Sequence, residues 1–289
     1  MGFAYLIAMQ LGLGLVVYDV LYAVAAVVFY GGALVVGREA AVALAAVGLA
    51  GRWLWPLALL GGAAAGLVAL VVAVGVATAC LPRLRPGRYP LMRGAVFYGW
   101  LFRSLLRRLL MVPGLRAVLF SSNVMRFLTL RALGARVAFS ASFSSDVDLL
   151  DPALLTVGAG AVVGARSLVS GHYIEGGRLI LGRVVIGEGA LVAAEVLIAP
   201  EVSIGARAKV LTRAALSRGV AVGEGATVGG DAVLDGFARV GARAQIGTRA
   251  YLGPRRRVAD GARVAAASTE ASDAGPAEAA VAAAEAASE

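Results

Sequence analysis

The chain has one cysteine, Cys80, one histidine, His172, and one lysine, Lys209, in 289 residues. A single cysteine excludes a disulfide framework and any multi-cysteine zinc site. A single histidine excludes a His-rich metal centre, and no metal site is assigned. There is no Ser-His-Asp constellation, no phosphate-cradling Walker-type loop and no cysteine pair. Charge is scarce as well. Only 16% of residues are charged and 60% are hydrophobic, against about 25% and about 45–50% in ordinary soluble domains. With a mean hydropathy of +0.82, the chain is not disordered throughout. Its apolar excess must sit in a membrane or in an unusually aliphatic core.

What charge there is falls in zones. Residues 1–81 carry four charged side chains, Asp19, Arg38, Glu39 and Arg52. Two runs, about 3–36 and 53–81, each exceed the roughly 20 residues that span a bilayer core. They predict a transmembrane helical hairpin with a turn around Gly37–Gly51. Ala40–Ala50 is apolar too, which leaves two or three membrane segments open. Met1–Gln10 has no basic residue, so the run does not read as a cleaved signal peptide. Asp19, inside an apolar run, is a functional candidate by position.

Residues 82–136 invert that pattern, with eleven arginines and no Asp, Glu or Lys. Basic residues beside a membrane end favour the cytoplasmic side and attract anionic headgroups. The expected product is an integral protein of the cytoplasmic membrane whose C-terminal half faces the cytoplasm. Tyr98–Met111 interleaves Trp100, Phe102 and leucines with Arg103, Arg107 and Arg108. It reads as a helix in the bilayer interface, or as one packed on the following domain. Membrane adjacency argues against nucleic acid as the partner of these arginines. Residues 265–289 hold five acidic and no basic residues and read as a disordered acidic tail.

Residues 137–264 contain an internal repeat. Stepping by six from Ile186 through Val192, Ile198 and Ile204 to Val264 gives fourteen positions, all aliphatic. Four residues after each comes a small or β-branched residue, from Ala190 to Ala262, broken only at Arg256. A period of six is neither helical nor that of a simple strand. It fits a short strand and a turn, three to a triangular coil, with the coils stacked into a solenoid. The fold class expected is therefore membrane helices plus an all-β domain, a left-handed parallel β-helix. Arg255–Arg257 read as a cap on the last coil. Upstream, Val157 and Val163 keep the hexad, but Val163 to Ile186 is not a multiple of six. The register slips once between Val169 and Arg183, where the chain must leave the coil, and His172 lies in that slip.

These features resemble the hexapeptide-repeat acyltransferases. Within that group the chain is similar to the membrane-bound C-terminal units of nonribosomal peptide synthetases that make homopoly(amino acids) such as poly-lysine. The likeness rests on Arg85-Pro86-Gly87-Arg88-Tyr89-Pro90-Leu91 and Leu130-Arg131-Ala132-Leu133-Gly134-Ala135-Arg136. It continues through Leu155-Thr156-Val157-Gly158 and Ser170-Gly171-His172-Tyr173-Ile174-Glu175 to Val185-Ile186-Gly187. It covers somewhat under half of the chain. The resemblance implies a homotrimer with sites between subunits and a histidine general base. It also implies coenzyme A or a phosphopantetheine thioester as co-substrate, with no cofactor held permanently. A single unit without activating or carrier domains departs from the synthetases and leaves the substrate open. A carrier protein or biosynthetic enzyme is then a candidate partner, beside the lipid bilayer.

His172 is the natural base under this reading, since free imidazole titrates at about 6.5 and can accept a proton at neutral pH. Glu175 would orient the ring or hold an ammonium acceptor, or is a solvated loop charge. Asp146, Asp148 and Asp151 would attract a cationic acceptor, or are ordinary surface acids. Arg178, Arg183, Arg207 and Lys209 are the candidates for the phosphates of coenzyme A. The function expected is transfer of an acyl or aminoacyl group from a pantetheine thioester to an amine or hydroxyl. The alternative is a non-catalytic trimeric scaffold of a membrane-bound biosynthetic complex.

Overall fold

The computed structural model describes residues 2–46 and 55–268, with side chains from 20 and from 56 onward in the two leading helices. The Asp19 side chain and the acidic tail from 269 on lie outside the described residues. Helix α1 spans Gly2–Leu44 and α2 spans Trp55–Cys80. Val20–Leu44 and Pro56–Cys80 have mean hydropathies of 2.2 and 2.5, enough in length and composition to cross a membrane. None of the first window and a third of the second is buried, unlike the core helices of a soluble domain.

The first helix does not turn at Gly37. It runs on to Leu44, and Ala40–Leu44 is its continuation rather than a separate membrane piece; residues 47–50 lie outside the described set. The glycines serve helix contact instead. A Cβ on Gly62 would lie 2.4 Å from the Gly37 carbonyl oxygen, and one on Gly66 would lie 2.6 Å from that of Ala33. Gly62 and Gly66 stand four apart, as do Ala33 and Gly37, so two small-residue ridges let the backbones touch.

Three short helices follow, α3 (Gly94–Leu110), α4 (Pro113–Ser121) and α5 (Asn123–Ala132). Tyr98–Met111 packs one face on the rest of the chain, the second of its two expected arrangements. Phe97, Leu105, Leu106, Leu109 and Leu110 of α3 are buried against the rest of the chain. Tyr30 of α1 donates a 2.5 Å hydrogen bond to the Leu109 carbonyl, which ties α3 to the hairpin. Arg126 of α5, itself buried, donates to the Phe143 carbonyl of the first coil at 3.0 Å. Leu109, Leu119 and Leu130 join the same apolar core as the coils. The three helices thus close the end of the solenoid, where stacked aliphatic side chains and unpaired strand edges would otherwise meet water.

The solenoid begins at Arg136–Val137 and ends at Arg263–Val264. Its two- and three-residue strands form three parallel sheets of seven, seven and six strands, the faces of a triangular prism. This is the left-handed β-helix expected from the register. The hexad aliphatics Ile198, Ile204, Leu216 and Leu234 are at most 1% exposed, and so are Ala190, Val202, Ala214 and Ala232 of the second column. The coil continues unbroken through Arg257–Val258, which pairs with Arg239–Val240. Arg255–Arg257 is therefore a corner and an outward strand position, not a cap.

The repeat length is the useful ruler. From Ile186 to Ile204, and again to Val222, equivalent positions are 18 residues apart. Val137 pairs with Val157, a step of 20, and Val157 pairs with Ile186, a step of 29. The two extra residues lie around the 3-10 turn Pro152–Leu154. The eleven extra residues form a β-hairpin, His172–Glu175 paired antiparallel with Arg178–Leu181. The post-membrane arm Gly87–Pro90 adds a third antiparallel strand to it. We label these three strands β1 (Gly87–Pro90), β2 (His172–Glu175) and β3 (Arg178–Leu181). The register slip expected between Val169 and Arg183 is this hairpin.

Candidate active site

Both departures from the 18-residue step occur at one corner of the prism, in adjacent coils. Asp151 comes two residues after Leu149, and Gly171 comes two residues after Val169, which pairs with Leu149. Asp151 therefore lies beneath Gly171 and beside His172. Its Oδ2 accepts the Gly171 N–H at 2.9 Å and lies 2.6 Å from His172 Nδ1. Its other oxygen accepts the Trp100 indole N–H from α3 at 2.7 Å. The Asp151 side chain is 2% exposed, whereas that of His172 is 23% exposed. A buried carboxylate with three such contacts is well satisfied.

Glycine at 171 is what permits the approach. A Cβ there would sit 2.9 Å from Leu154 Cβ and 3.0 Å from Asp151 Cβ. The Trp100 and His172 rings pack with centroids 4.9 Å apart. Ser170 donates its hydroxyl hydrogen to the His172 carbonyl at 2.8 Å and fixes the entry into β2. A carboxylate against Nδ1 places the proton there and leaves the Nε2 lone pair as the basic one. The arrangement is that of an imidazole base with its orienting acid.

The other sequence candidates are distributed differently. Glu175 stands at the far end of β2, exposed, cross-strand from Arg178, and does not contact the ring. The carboxylate against His172 is that of Asp151 rather than Glu175. The three aspartates do not form one cationic-acceptor cluster. Asp148 pairs with Arg107 of α3 at 3.1 Å. Asp146 accepts the Ser144 hydroxyl at 2.5 Å, and that bond holds its carboxyl below the usual carboxylate range. Of the phosphate candidates, Arg178 is exposed on the hairpin, and Arg183 faces a separate cavity near the end of α2. Arg207 is ion-paired with Glu224, and Lys209 points outward from a sheet. The fold does not gather these four into one patch.

Sequence reasoning missed Trp100, Ser170 and the pairing of Asp151 with His172. The signal was present in the register: residues two past Leu149 and two past Val169 must stack once those strands are paired. Trp100 had no such signal, because nothing in the repeat says where α3 packs.

No protein-family model matches the chain, and no curated protein matches it. Solved structures do resemble it in part. One is the acetyltransferase domain of PglB from Neisseria gonorrhoeae in complex with acetyl coenzyme A. It is 21% identical over 50% of this chain and 63% of that one, with a TM-score of 0.32. A putative acetyltransferase from Bacillus cereus is 15% identical over 46% and 69%, with a TM-score of 0.29. PerB from Caulobacter crescentus, solved with coenzyme A and GDP-perosamine, is 21% identical over 49% and 61%, with a TM-score of 0.23. The chain thus spans about three fifths of the first of these. These are likenesses to other proteins, and the chemistry of this chain rests on its own residues.

Proposed function

We propose that the protein is a membrane-anchored acyltransferase with His172 as its general base. The single observation that carries this reading is the His172–Asp151 pair, 2.6 Å apart at the corner where two adjacent coils break the repeat. A purely structural solenoid has no need of a buried carboxylate aimed at a partly exposed imidazole. The motifs shared with hexapeptide-repeat acyltransferases supply the reaction class.

In the proposed step the acceptor, an amine or hydroxyl, attacks the carbonyl carbon of a pantetheine thioester, from coenzyme A or a carrier protein. His172 Nε2 takes the acceptor proton while Asp151 stabilises the imidazolium through Nδ1. The tetrahedral intermediate collapses, the C–S bond breaks, and the thiolate leaves and takes up a proton. Trp100 holds Asp151 and the ring in place. Of the four phosphate candidates, Arg178 on the hairpin and Lys209 on its sheet are left for the donor, since Arg183 lines a separate cavity and Arg207 is paired with Glu224. An aminoacyl donor, as in the poly-lysine synthetases, stands on the sequence motifs alone.

Leu197, Val233 and Tyr251 lie outward in one sheet and are 45%, 38% and 37% exposed. That apolar face leads through Leu168–Val169 to His172. A trimer packed on it would put a neighbouring subunit beside the base. The basic arm after α2 favours a cytoplasmic solenoid.

The test is acceptor-dependent thiol release from acyl-coenzyme A and acyl-carrier donors, with wild type and His172→Ala in membranes. Release lost in the variant supports the reading. Equal release from both removes His172 as base. No release from either, together with a phenotype that depends on the coils but not on His172, favours the scaffold.

A further inference from the structure

A cavity of about 750 Å³ opens where the last turn of α2 meets the end of α5 and the first coil. Six arginines line it, Arg83, Arg85, Arg103, Arg131, Arg136 and Arg183, and no acidic residue does. Arg103 is engaged. It donates to the Leu81 and Pro82 carbonyls at 3.0 and 3.1 Å, closing the end of α2, and burial pulls its guanidinium below the ordinary arginine range. The guanidinium groups of the other five have no hydrogen-bond or ion-pair partner among the described residues.

Several arginines elsewhere have an acid partner. Arg166 meets Glu195, Arg213 meets Asp231 and Arg218 meets Glu201. Five uncompensated guanidinium groups around one cavity repel one another, and a multivalent anion at their centre would relieve that. Thr78 gives an independent sign. It is 4% exposed, lines the cavity, and its hydroxyl has no hydrogen-bond partner.

We infer that this cavity binds the phosphate or pyrophosphate headgroup of a membrane lipid. Guanidinium groups bind phosphate oxygens in paired, charge-assisted hydrogen bonds. The position selects the lipid as source. One wall is Gly75, Thr78 and Ala79 of an apolar helix of membrane-spanning length, and Arg83 and Arg85 follow at once. A headgroup can occupy the arginines while its chains stay along α2; a freely soluble anion has no use for that wall. The inference rests on the membrane reading of α1 and α2. It also deepens the proposed function. Asp151 begins the segment whose Ala153, Leu154, Leu155 and Thr156 wall the cavity. The acceptor class it points to is a lipid phosphate whose attached group reaches His172.

The full chain in neutral detergent can be titrated with dioctanoyl phosphatidic acid, dioctanoyl phosphatidylcholine, inorganic pyrophosphate and coenzyme A. Phosphatidic acid is expected to bind and raise the melting temperature, and phosphatidylcholine is not. Replacing Arg131, Arg136 and Arg183 together by Gln should weaken phosphatidic acid at least about tenfold. The same three-charge change at Arg239, Arg243 and Arg263 on the far coils should leave it intact. The inference is overturned if the cavity variant, melting like wild type, binds as tightly as wild type. It is equally overturned if pyrophosphate or coenzyme A matches phosphatidic acid with the same arginine dependence. An alkaline wash separates the two premises: a chain released from membranes sinks the anchor and the lipid together. A retained chain without headgroup preference sinks only the cavity. No arm depends on transferase activity.

Discussion

The coils from Ile186 onward and the coils before it are built from one plan but do different work. Beyond Ile186 each step is 18 residues, the inward positions are aliphatic or alanine except at Arg256, and the corner residues Arg213 and Asp231 pair with each other. Before it, the steps are 20 and 29, and the extra residues carry a buried aspartate, a histidine and an antiparallel hairpin. In a solenoid each coil contacts only its neighbours. Regular coils can therefore hold a rigid frame while two insertions at one corner place polar side chains with no disturbance further along. The comparison teaches that a repeat's chemistry is to be sought at its errors of length.

The comparison predicts that activity and stability separate along the axis. His172→Ala should lower transfer about 10²–10⁴-fold, measured by thiol release, with little change in melting. Asp151→Asn leaves a side chain of nearly equal shape but removes the charge that favours imidazolium, and should lower transfer at least about tenfold. Conversely, Leu216→Ala, in a fully buried position of the regular coils, should cost about 2–5 kcal/mol in a denaturation curve. The folded fraction of that variant should transfer at the wild-type rate. If His172→Ala melted earlier and Leu216→Ala lost activity per folded molecule, the separation would be wrong.

Gly171→Ala tests the junction of the two regions. Its new methyl meets Leu154 and Asp151 within 3.0 Å, which overpacking rules put at about 1–3 kcal/mol. Because the strained neighbour is the partner of His172, transfer should fall as well, more than in a variant of equal instability in the far coils. Gly158, by contrast, faces the Glu188 backbone of the next coil. Gly158→Ala should destabilise with no added loss of transfer. Comparing the two variants at matched stability isolates the part of the effect that runs through Asp151.

Most of the frame was legible because its physics is periodic. Six-residue spacing forces aliphatic side chains inward, and Ile186 to Val264 could be read off before any coordinates. The slip between Val169 and Arg183 announced an excursion, and it singled out His172 as the residue to examine. Asp151 was visible as a residue but not as a partner, because its contact spans a 21-residue separation set by strand pairing, not by local pattern. Trp100 and the arginine cavity depend on how α2, α3 and α5 dock. Helix docking is decided by side-chain shape, as with Gly62 and Gly66 against α1, and carries no period. For the same reason α3 read either as an interfacial helix or as one packed on the following domain, since its arginines and leucines suit a membrane surface as well as a protein one.

The smallest expected effect lies in the corners of the regular coils. Arg213, Asp231, Arg243 and Arg249 have φ between 57° and 60°, a left-handed conformation that glycine adopts without steric cost. Arg213 donates to both Asp231 oxygens, at 2.6 and 2.9 Å. That bond holds the Asp231 carboxyl below the usual range and raises the Arg213 guanidinium. Arg213→Gly and Arg243→Gly relieve the same backbone strain, but only the first breaks a bidentate pair. Because that pair is exposed, the two melting temperatures at neutral pH should differ by about 1 °C or less. A carboxyl with a depressed folded pKa stabilises above its unfolded pKa, about 3.9, and ceases to do so as pH falls through the folded value. The difference between the two variants should therefore persist from neutral pH down to about 4 and vanish below that. A gap that grew on acidification would mean the pair does not act through the Asp231 charge.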